Sequence, residues 1–376
     1  MHRQAQHDPP VPSAPEKYRR CLVLSGGGFR FGIYLGMYEA ACDAGCAPDV
    51  LLASCGGALA AAIIQGLPDA ATRKAWLAAP AMYDFWRGLQ LAPQAGIARL
   101  LLRAGQRFAS LQPAPRVPDL FGDYLFELPH ALPLPVPVAD PTVAVAVVGA
   151  RLLFRRDEAG QPRGQRKLFE ETVFCDTRSA ALLRGMASPL RGACWGTHAI
   201  ADTVATDTSQ ALAAAACLSI VDFFYFPAFS LGGERYIGGV VDLFPSELAH
   251  RLADAVVMEF KQPLDQVFAR PAWRAVLGID GNQRLRHVHA QRAEAWVDTS
   301  DIRRVLACQQ VHKQIDWRRN RVALRVPADH ATYARHIEDQ WQYGYARATE
   351  ALRRPATDAG TMRNVNWFNR ARPCAS

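Results

Sequence analysis

The pattern of apolar and polar positions predicts alternating strands and helices in the first third of the chain. Residues 20–24 are a short apolar run that predicts a buried strand, and residues 31–44 then carry apolar side chains at three-to-four spacing, as on a helix face. Residues 50–53 predict a second buried strand, and a helix begins after it at Gly56. This order of strand, glycine turn and helix is typical of an α/β fold with a parallel sheet.

The rest of the chain continues this pattern less regularly. Strands are predicted at 142–148, 172–176, 255–260 and 321–327, and helices at 178–186, 208–217 and 329–353. Residues 91–141 are rich in Pro and predict an insertion of loops and helices. We therefore expect a disordered tail over 1–19, an α/β domain over 20–262 and a mainly helical region over 263–376.

Composition adds limits on the class of protein. Half of the residues are apolar, which provides for a sizeable core, and the net charge of +8 is spread along the chain rather than gathered in blocks. This favours a soluble protein with a mildly basic surface, and it also suits peripheral contact with an anionic membrane. No motif for nucleic-acid binding accompanies the charge.

Cysteine use and the apolar segments indicate the compartment. There are nine cysteines without a CxxC pair, which fits a reducing, cytoplasmic environment. The polar N-terminus lacks the apolar run of a signal peptide. The longest apolar stretch, 211–231, contains Asp222 at its centre and Pro227 beyond it, so we expect a buried helix and a loop there rather than a membrane span.

The first glycine turn joins the first predicted strand to its helix. Gly26, Gly27 and Gly28 lie between them, where backbone N–H groups can approach a phosphate or a developing oxyanion. A dinucleotide-binding fingerprint would need a third spaced Gly at position 31, and Phe31 stands there. We therefore expect no nicotinamide cofactor.

The second glycine turn carries a candidate nucleophile. Cys55 lies between a strand and a helix, with the small residues Ala53 and Gly57 two positions away on each side, as a tight nucleophile elbow requires. The helix N-terminus would lower the pKa of this thiol and stabilise an oxyanion. The alternative is that Cys55 is a small packed residue in an ordinary strand–helix turn.

Other groups of reactive residues are less informative. His287 and His289 lie in a basic helical stretch without a third ligand at metal spacing, so we expect no metal site. His198 is a weak candidate for a general base, since most isolated histidines are structural. The aromatic run 223–226 would line an acyl pocket or pack in the core.

Three blocks together resemble one family. The stretch LSGGGFRFGIYLGMYEAACDAGCAPDVLLASCGGALAAAI and the later stretch ACLSIVDFFYFPAFSLGGERYIGGVVDLFP are similar to the oxyanion loop, the nucleophile elbow and the Asp-Gly-Gly turn of patatin-like phospholipases. The resemblance covers about residues 20–260. It implies a three-layer α/β/α sandwich with a mostly parallel sheet, here with a helical C-terminal extension.

The resemblance also implies roles for single residues. The oxyanion loop falls on Gly26, Gly27, Gly28 and Arg30, with Gly56 after the nucleophile, and the nucleophilic serine falls on Cys55 rather than Ser54. The catalytic aspartate falls on Ile237, so the family's base is lost. Asp242, five residues later, is then the candidate base, and a structural loop carboxylate is its alternative.

Two functions follow from these residues. The first is a lipid acyl hydrolase or acyltransferase that acts on an acyl ester through Cys55, because a thiol depends less on a base than a hydroxyl does. The second is a degenerate relative that binds an acyl lipid or a protein partner without turnover. A carboxylate or imidazole near the Cys55 sulfur favours the enzyme, and an apolar shell favours the binding protein.

Overall fold

The computed structural model describes residues 15–26, 28–93, 96–109, 112–128, 131–191, 193–266, 269–307, 312–316 and 321–353. Within these ranges the strands are β1 Tyr18–Leu24, β2 Val50–Ser54, β3 Ala144–Leu152, β4 Phe169–Phe174, β5 Ala205–Asp207, β6 Phe229–Leu231, β7 Glu234–Ile237, β8 Ala253–Phe260, β9 Ala295–Asp298, β10 His312–Asp316 and β11 Arg321–Arg325. The helices are α1 Gly32–Asp43, α2 Gly56–Gly66, α3 Ala70–Leu77, α4 Pro80–Arg87, α5 Ile97–Ala109, α6 Thr177–Leu183, α7 Leu212–Ser219, α8 Ser246–Leu252, α9 Ala269–Val276, α10 Gly281–His289, α11 Ile302–Val305 and α12 His330–Leu352.

A central sheet runs in the order β5-β4-β3-β2-β1-β8-β9. The pairs from β3 through β2, β1 and β8 to β9 are parallel, and β4 is antiparallel to β3. The short strand β7 pairs antiparallel with β3 at Ala150, beyond the point where the pairing of β2 with β3 ends at Ser54. The α/β class and the mostly parallel sheet are confirmed, whereas the antiparallel placement of β4 has no signal in the local sequence pattern.

Helices cover both faces of the sheet. Successive side chains of a strand point to opposite faces, and in β1 Cys21 and Val23 pack on one face while Leu22 and Leu24 pack on the other. The first face is covered by α6, α8 and α10, and the second by α1, α2, α7 and α12. Because both faces are buried, the central strands are continuous apolar runs rather than alternating ones.

The chain after residue 262 is joined to the same body. It supplies strand β9 to the central sheet, the antiparallel hairpin of β10 and β11, and α12, which packs along α1. The region predicted as mainly helical therefore also contributes strands. Residues 1–14 of the predicted tail lie outside the described residues. In the part of the chain that the structure describes, no helix is long and apolar enough to cross a bilayer. The stretch 211–231 contains the eight-residue helix α7, a loop and the short strand β6.

Candidate functional site

Cys55 lies at a sharp turn between β2 and α2. Its backbone has φ +51° and ψ −126°. Residues other than glycine rarely adopt this conformation, which costs on the order of 1–3 kcal/mol. The turn brings α2 close to the sheet: a Cβ placed on Gly57 would lie 1.8 Å from the carbonyl oxygen of Leu24, so only glycine fits there. This is the backbone geometry of a nucleophile elbow.

Two hydrogen bonds hold the turn in this conformation. The Ser54 hydroxyl donates to the backbone carbonyl of Asp242 at 2.8 Å, and the backbone N–H of Cys55 donates to the hydroxyl of Ser219 at 2.9 Å. Ser219 in turn donates to the carbonyl of Val148 at 2.8 Å. Ser54 is fully buried by this contact, so the neighbouring Cys55 is the residue whose side chain faces the cleft.

The first glycine turn lies directly against this elbow. A Cβ placed on Gly26 would lie 2.9 Å from the Cβ of Cys55 and 3.7 Å from its Sγ, so the close approach requires glycine. Gly28 has φ +73° and lines the same cleft as Gly26 and Gly56. Gly27, the middle residue of the predicted oxyanion loop, lies outside the described residues.

The orientation of the Ser25–Gly26 peptide is fixed by two donors. The Tyr34 hydroxyl and the Lys261 ammonium both donate to the carbonyl oxygen of Ser25, the latter at 3.4 Å. The C=O and the N–H of a trans peptide point in opposite directions, so the N–H of Gly26 is directed away from these donors. The backbone N–H groups of Gly26 and Gly56 are therefore the candidate oxyanion donors beside Cys55.

Lys261 lies at the centre of a polar network under the glycine turn. Its ammonium donates to the carbonyl of Gly26 at 2.5 Å and to the Tyr34 hydroxyl at 3.2 Å, and it forms a salt bridge with Glu259 at 3.0 Å. Glu259 also accepts from the hydroxyls of Ser25 at 3.2 Å and Thr299 at 2.6 Å. Every charge of this buried network is paired, as burial requires.

These elements form the wall of a cleft of about 540 Å³. Its polar lining comes from charged and hydroxyl-bearing side chains around Cys55, namely Arg30, Tyr34, Asp222, Glu259, Lys261, Thr299 and Arg303. Its apolar lining includes Phe29, Phe31, Trp86, Ile220, Tyr225, Phe226, Leu243, Phe244, Leu264 and Ile302. Such a mixture of mostly apolar walls and a few polar groups is typical of a site for a small ligand.

The electrostatic surroundings of Cys55 correct one expectation from the sequence. Burial and, to a smaller extent, the negative charge of Asp222 raise the pKa of its thiol to about 12. The Gly56 N–H and the positive charge of Lys261 lower this pKa, but by less than burial raises it. The helix N-terminus therefore does not outweigh the loss of water around the sulfur. At neutral pH Cys55 is a thiol, not a preformed thiolate, and it would need a base in order to act as a nucleophile.

Neither Ile237 nor Asp242 supplies that base. Ile237 ends β7 and packs in the core with 1% of its surface exposed, although the turn after it brings the backbone of Gly239 against that of Cys55. The carboxylate of Asp242 is equally buried and is bound by Arg284 at 2.8 Å. Asp242 contributes its backbone carbonyl to the elbow, and its side chain is a structural carboxylate, which was the alternative interpretation.

The remaining candidates from the sequence divide between the cleft and the core. Arg30 lines the cleft, and its pKa is lowered by burial and by the neighbouring charge of Arg303. His198 is buried elsewhere, accepts from the Ile200 N–H at 3.3 Å, and has its pKa lowered to about 4 by burial. In the aromatic run, Tyr225 and Phe226 line the cleft whereas Phe223 packs in the core.

Several residues of the site were missed in the sequence, among them Asp222, Ser219 and Lys261. Asp222 stands alone in a long apolar stretch, and that isolation was a signal for a functional carboxylate. Ser219 and Lys261 carried no signal, because a single serine at a helix end and a lysine after a strand are common on surfaces. In the described part of the chain no cluster of three or more His, Cys, Asp or Glu is arranged to hold a metal ion.

Comparisons with known proteins give no further assignment. The chain matches no model of a known protein family, and no curated protein is significantly similar to it. The resemblance described above therefore rests on the quoted motifs.

Proposed function

We propose that the protein is an acyl hydrolase of the patatin-like type, with a three-layer α/β/α sandwich, that uses Cys55 as its nucleophile and Asp222 as its base. The observation that carries this proposal is the placement of Cys55 at a strained elbow, with Asp222 in the same cleft and close enough for its charge to raise the thiol pKa. A neutral thiol and a carboxylate in one cleft are the pair that general-base activation requires.

The proposed reaction has two stages. In the first, Asp222 takes the proton of the Cys55 thiol while the sulfur attacks the carbonyl carbon of an acyl ester, and the intermediate collapses to a thioester as the leaving alkoxide takes the proton back from Asp222. In the second, Asp222 takes a proton from water, whose oxygen attacks the thioester, and the departing sulfur receives that proton. The acid is released and Cys55 is restored.

The oxyanion of both tetrahedral intermediates would be held by backbone N–H groups. The Gly56 N–H lies close enough to the Cys55 sulfur to lower the thiol pKa, and the Gly26 backbone lies against Cys55 with its peptide orientation set by Tyr34 and Lys261. Donors held in place before the reaction stabilise the developing charge without reorganisation. Removal of one such donor typically lowers kcat by about 10²–10³-fold.

A second candidate function is binding of an acyl lipid or a protein partner without turnover. The loss of the family's aspartate at Ile237 and the raised thiol pKa favour it. The two functions differ in what Cys55 is required for. A hydrolase loses its activity when the thiol is removed, whereas a binding protein retains its affinity for the acyl group.

Hydrolysis of soluble p-nitrophenyl esters by the full chain tests the proposal. We expect hydrolysis of the butyrate ester that is lost in Cys55→Ala, since alanine keeps the turn small and removes only the sulfur. Cys194→Ala is the matched control, because Cys194 is exposed and does not line the cleft. Hydrolysis that persists in Cys55→Ala, or its absence in the unmodified protein, would contradict the hydrolase function.

A further inference from the structure

Three aromatic side chains separate the cleft from a second cavity. Phe29, Phe31 and Trp86 line the cleft that contains Cys55, and the same three line a smaller cavity of about 10 Å³ on their other side. The far wall of the smaller cavity is formed by Pro327 and by side chains of α12. These three residues, here called the aromatic wall, are thus a thin partition between two cavities.

The aromatic wall is closely packed. The rings of Phe31 and Trp86 are stacked with centroids 5.2 Å apart, and Phe29 meets Trp86 edge to face at 5.1 Å. Phe85, outside both cavities, touches the far side of this cluster, edge to face with Trp86 at 4.8 Å. With Phe31 and Trp86 both at least 97% buried, the wall has little freedom to move aside.

The wall begins next to the reacting atoms. The ring of Phe31 lies over Gly56, so that a Cβ placed on Gly56 would be 2.6 Å from Phe31 Cε1. Gly56 directly follows Cys55 at the start of α2, and both residues line the cleft. An acyl group attached to the Cys55 sulfur, with its oxygen at the Gly56 N–H, therefore extends beside the Phe31 ring.

We propose that the aromatic wall limits the length of the acyl chain and makes the site selective for short-chain acyl esters. This inference rests on the proposed function for its substrate. The apolar wall favours a hydrocarbon chain, and its closed packing stops that chain before the smaller cavity behind it. Shortening Phe31 or Trp86 joins the two cavities and extends the acyl site toward α12.

The test is the dependence of kcat/KM on acyl length in the full chain, measured with p-nitrophenyl butyrate, octanoate and laurate. In Phe31→Ala and in the milder Trp86→Phe we expect the ratio of laurate to butyrate to rise by about tenfold or more, because each additional buried methylene contributes to discrimination. Phe85→Ala is the matched control, since it removes an aromatic ring that touches Trp86 but lines neither cavity, and its ratio should not change. An unchanged ratio in both wall variants, with folding verified by circular dichroism, would overturn the proposal.

Binding measurements separate this inference from the hydrolase function. In a Cys55→Ala background, which cannot turn over, the affinity for laurate is measured by calorimetry with and without Phe31→Ala. If laurate binds about tenfold more tightly to the double variant, the wall limits chain length even when the unmodified protein hydrolyses no ester. If the unmodified protein hydrolyses esters but neither the affinity nor the chain-length ratio changes, the wall proposal fails and the hydrolase function remains.

Discussion

Asp222 and Cys55 line the same cleft, and the negative charge of Asp222 raises the pKa of the Cys55 thiol. The sequence resemblance places the base elsewhere, at a position occupied by Ile237. The carboxylate on the loop after α7 is therefore the acidic group that acts on the Cys55 thiol within the cleft. In the proposed mechanism the thiol is neutral at rest and Asp222 is its proton acceptor.

Asp222→Asn should make the Cys55 thiol more reactive toward alkylation and should slow ester hydrolysis. Removing the negative charge lowers the thiol pKa, so alkylation of Cys55 by iodoacetamide at pH 8 should become faster, with its pH midpoint shifted downward. Ester hydrolysis should fall by about 10²–10⁴-fold because the proton acceptor is gone. Both are measured on the same preparation, with Asp202→Asn as a control on an exposed carboxylate. Slower alkylation together with unchanged hydrolysis would exclude Asp222 as the base.

Lys261→Met should release the backbone of the glycine turn from its fixed orientation while leaving substrate binding largely intact. The ammonium that holds the carbonyls of Ser25 and Gly26 is lost, and so is a positive charge that lowers the Cys55 pKa. We expect kcat to fall by about 10²-fold with little change in KM, as for loss of an oxyanion donor. Lys261→Arg should restore part of the activity, and Lys167→Met, which removes a surface lysine paired with Asp202, should have no effect. An equal loss of activity in the two methionine variants would refute this role.

An aspartate placed at position 237, where the resembled family has one, should not raise the esterase activity. Ile237 is buried in the core, and its register partner Ala150 also pairs with Glu171, so a carboxylate at 237 would face a second carboxyl across one strand. Ile237→Asp should lower the free energy of unfolding by about 3 kcal/mol or more, against about 1 kcal/mol for Ile237→Val. Urea unfolding compares the two. A stable and more active Ile237→Asp would mean that this position still faces the nucleophile.

Glu171 should make the protein less stable as the pH rises. It is fully buried in the core, neither carboxyl oxygen has a hydrogen-bond partner among the described residues, and burial raises its pKa well above the usual value, with Asp242 adding to the effect. The folded-state pKa of Glu171 exceeds the unfolded value of about 4.3. The contribution of its protonated carboxyl to the free energy of unfolding is therefore fully present below that pH. The contribution is lost as the pH rises through the folded-state pKa, at about 1.4 kcal/mol per pH unit.

Glu171→Gln removes this dependence. The variant should gain in free energy of unfolding relative to the unmodified protein from about pH 5 upward, and the gain should grow with pH. Glu170→Gln, on the neighbouring residue that pairs with Arg151 at the surface, serves as the control and should show no growing gain. Parallel curves of stability against pH for Glu171→Gln and the unmodified protein would show that the Glu171 carboxyl has an ordinary pKa.

How far the sequence predicts this molecule depends on the range of the interactions. Local patterns predicted β1, α1, β2 and α2 and placed Cys55 at the turn between them, because apolar runs and glycines act over a few residues. The antiparallel placement of β4, the sheet strand β9 after residue 262 and the ion pair of Asp242 with Arg284 depend on contacts between distant segments. The pKa of Cys55 was predicted in the wrong direction, because the sequence shows the helix N-terminus but not the burial of the sulfur.

The central claim, that Cys55 becomes acylated, is tested most directly by mass spectrometry of the intact protein after rapid mixing with p-nitrophenyl butyrate and acid quenching. We predict one butyryl group per chain, mapped by peptide digestion to Cys55, removed by neutral hydroxylamine and absent from Cys55→Ala. In Asp222→Asn the same adduct should form more slowly. No adduct at Cys55, or butyryl groups distributed over Cys194 and surface lysines and unchanged in Cys55→Ala, would contradict the account.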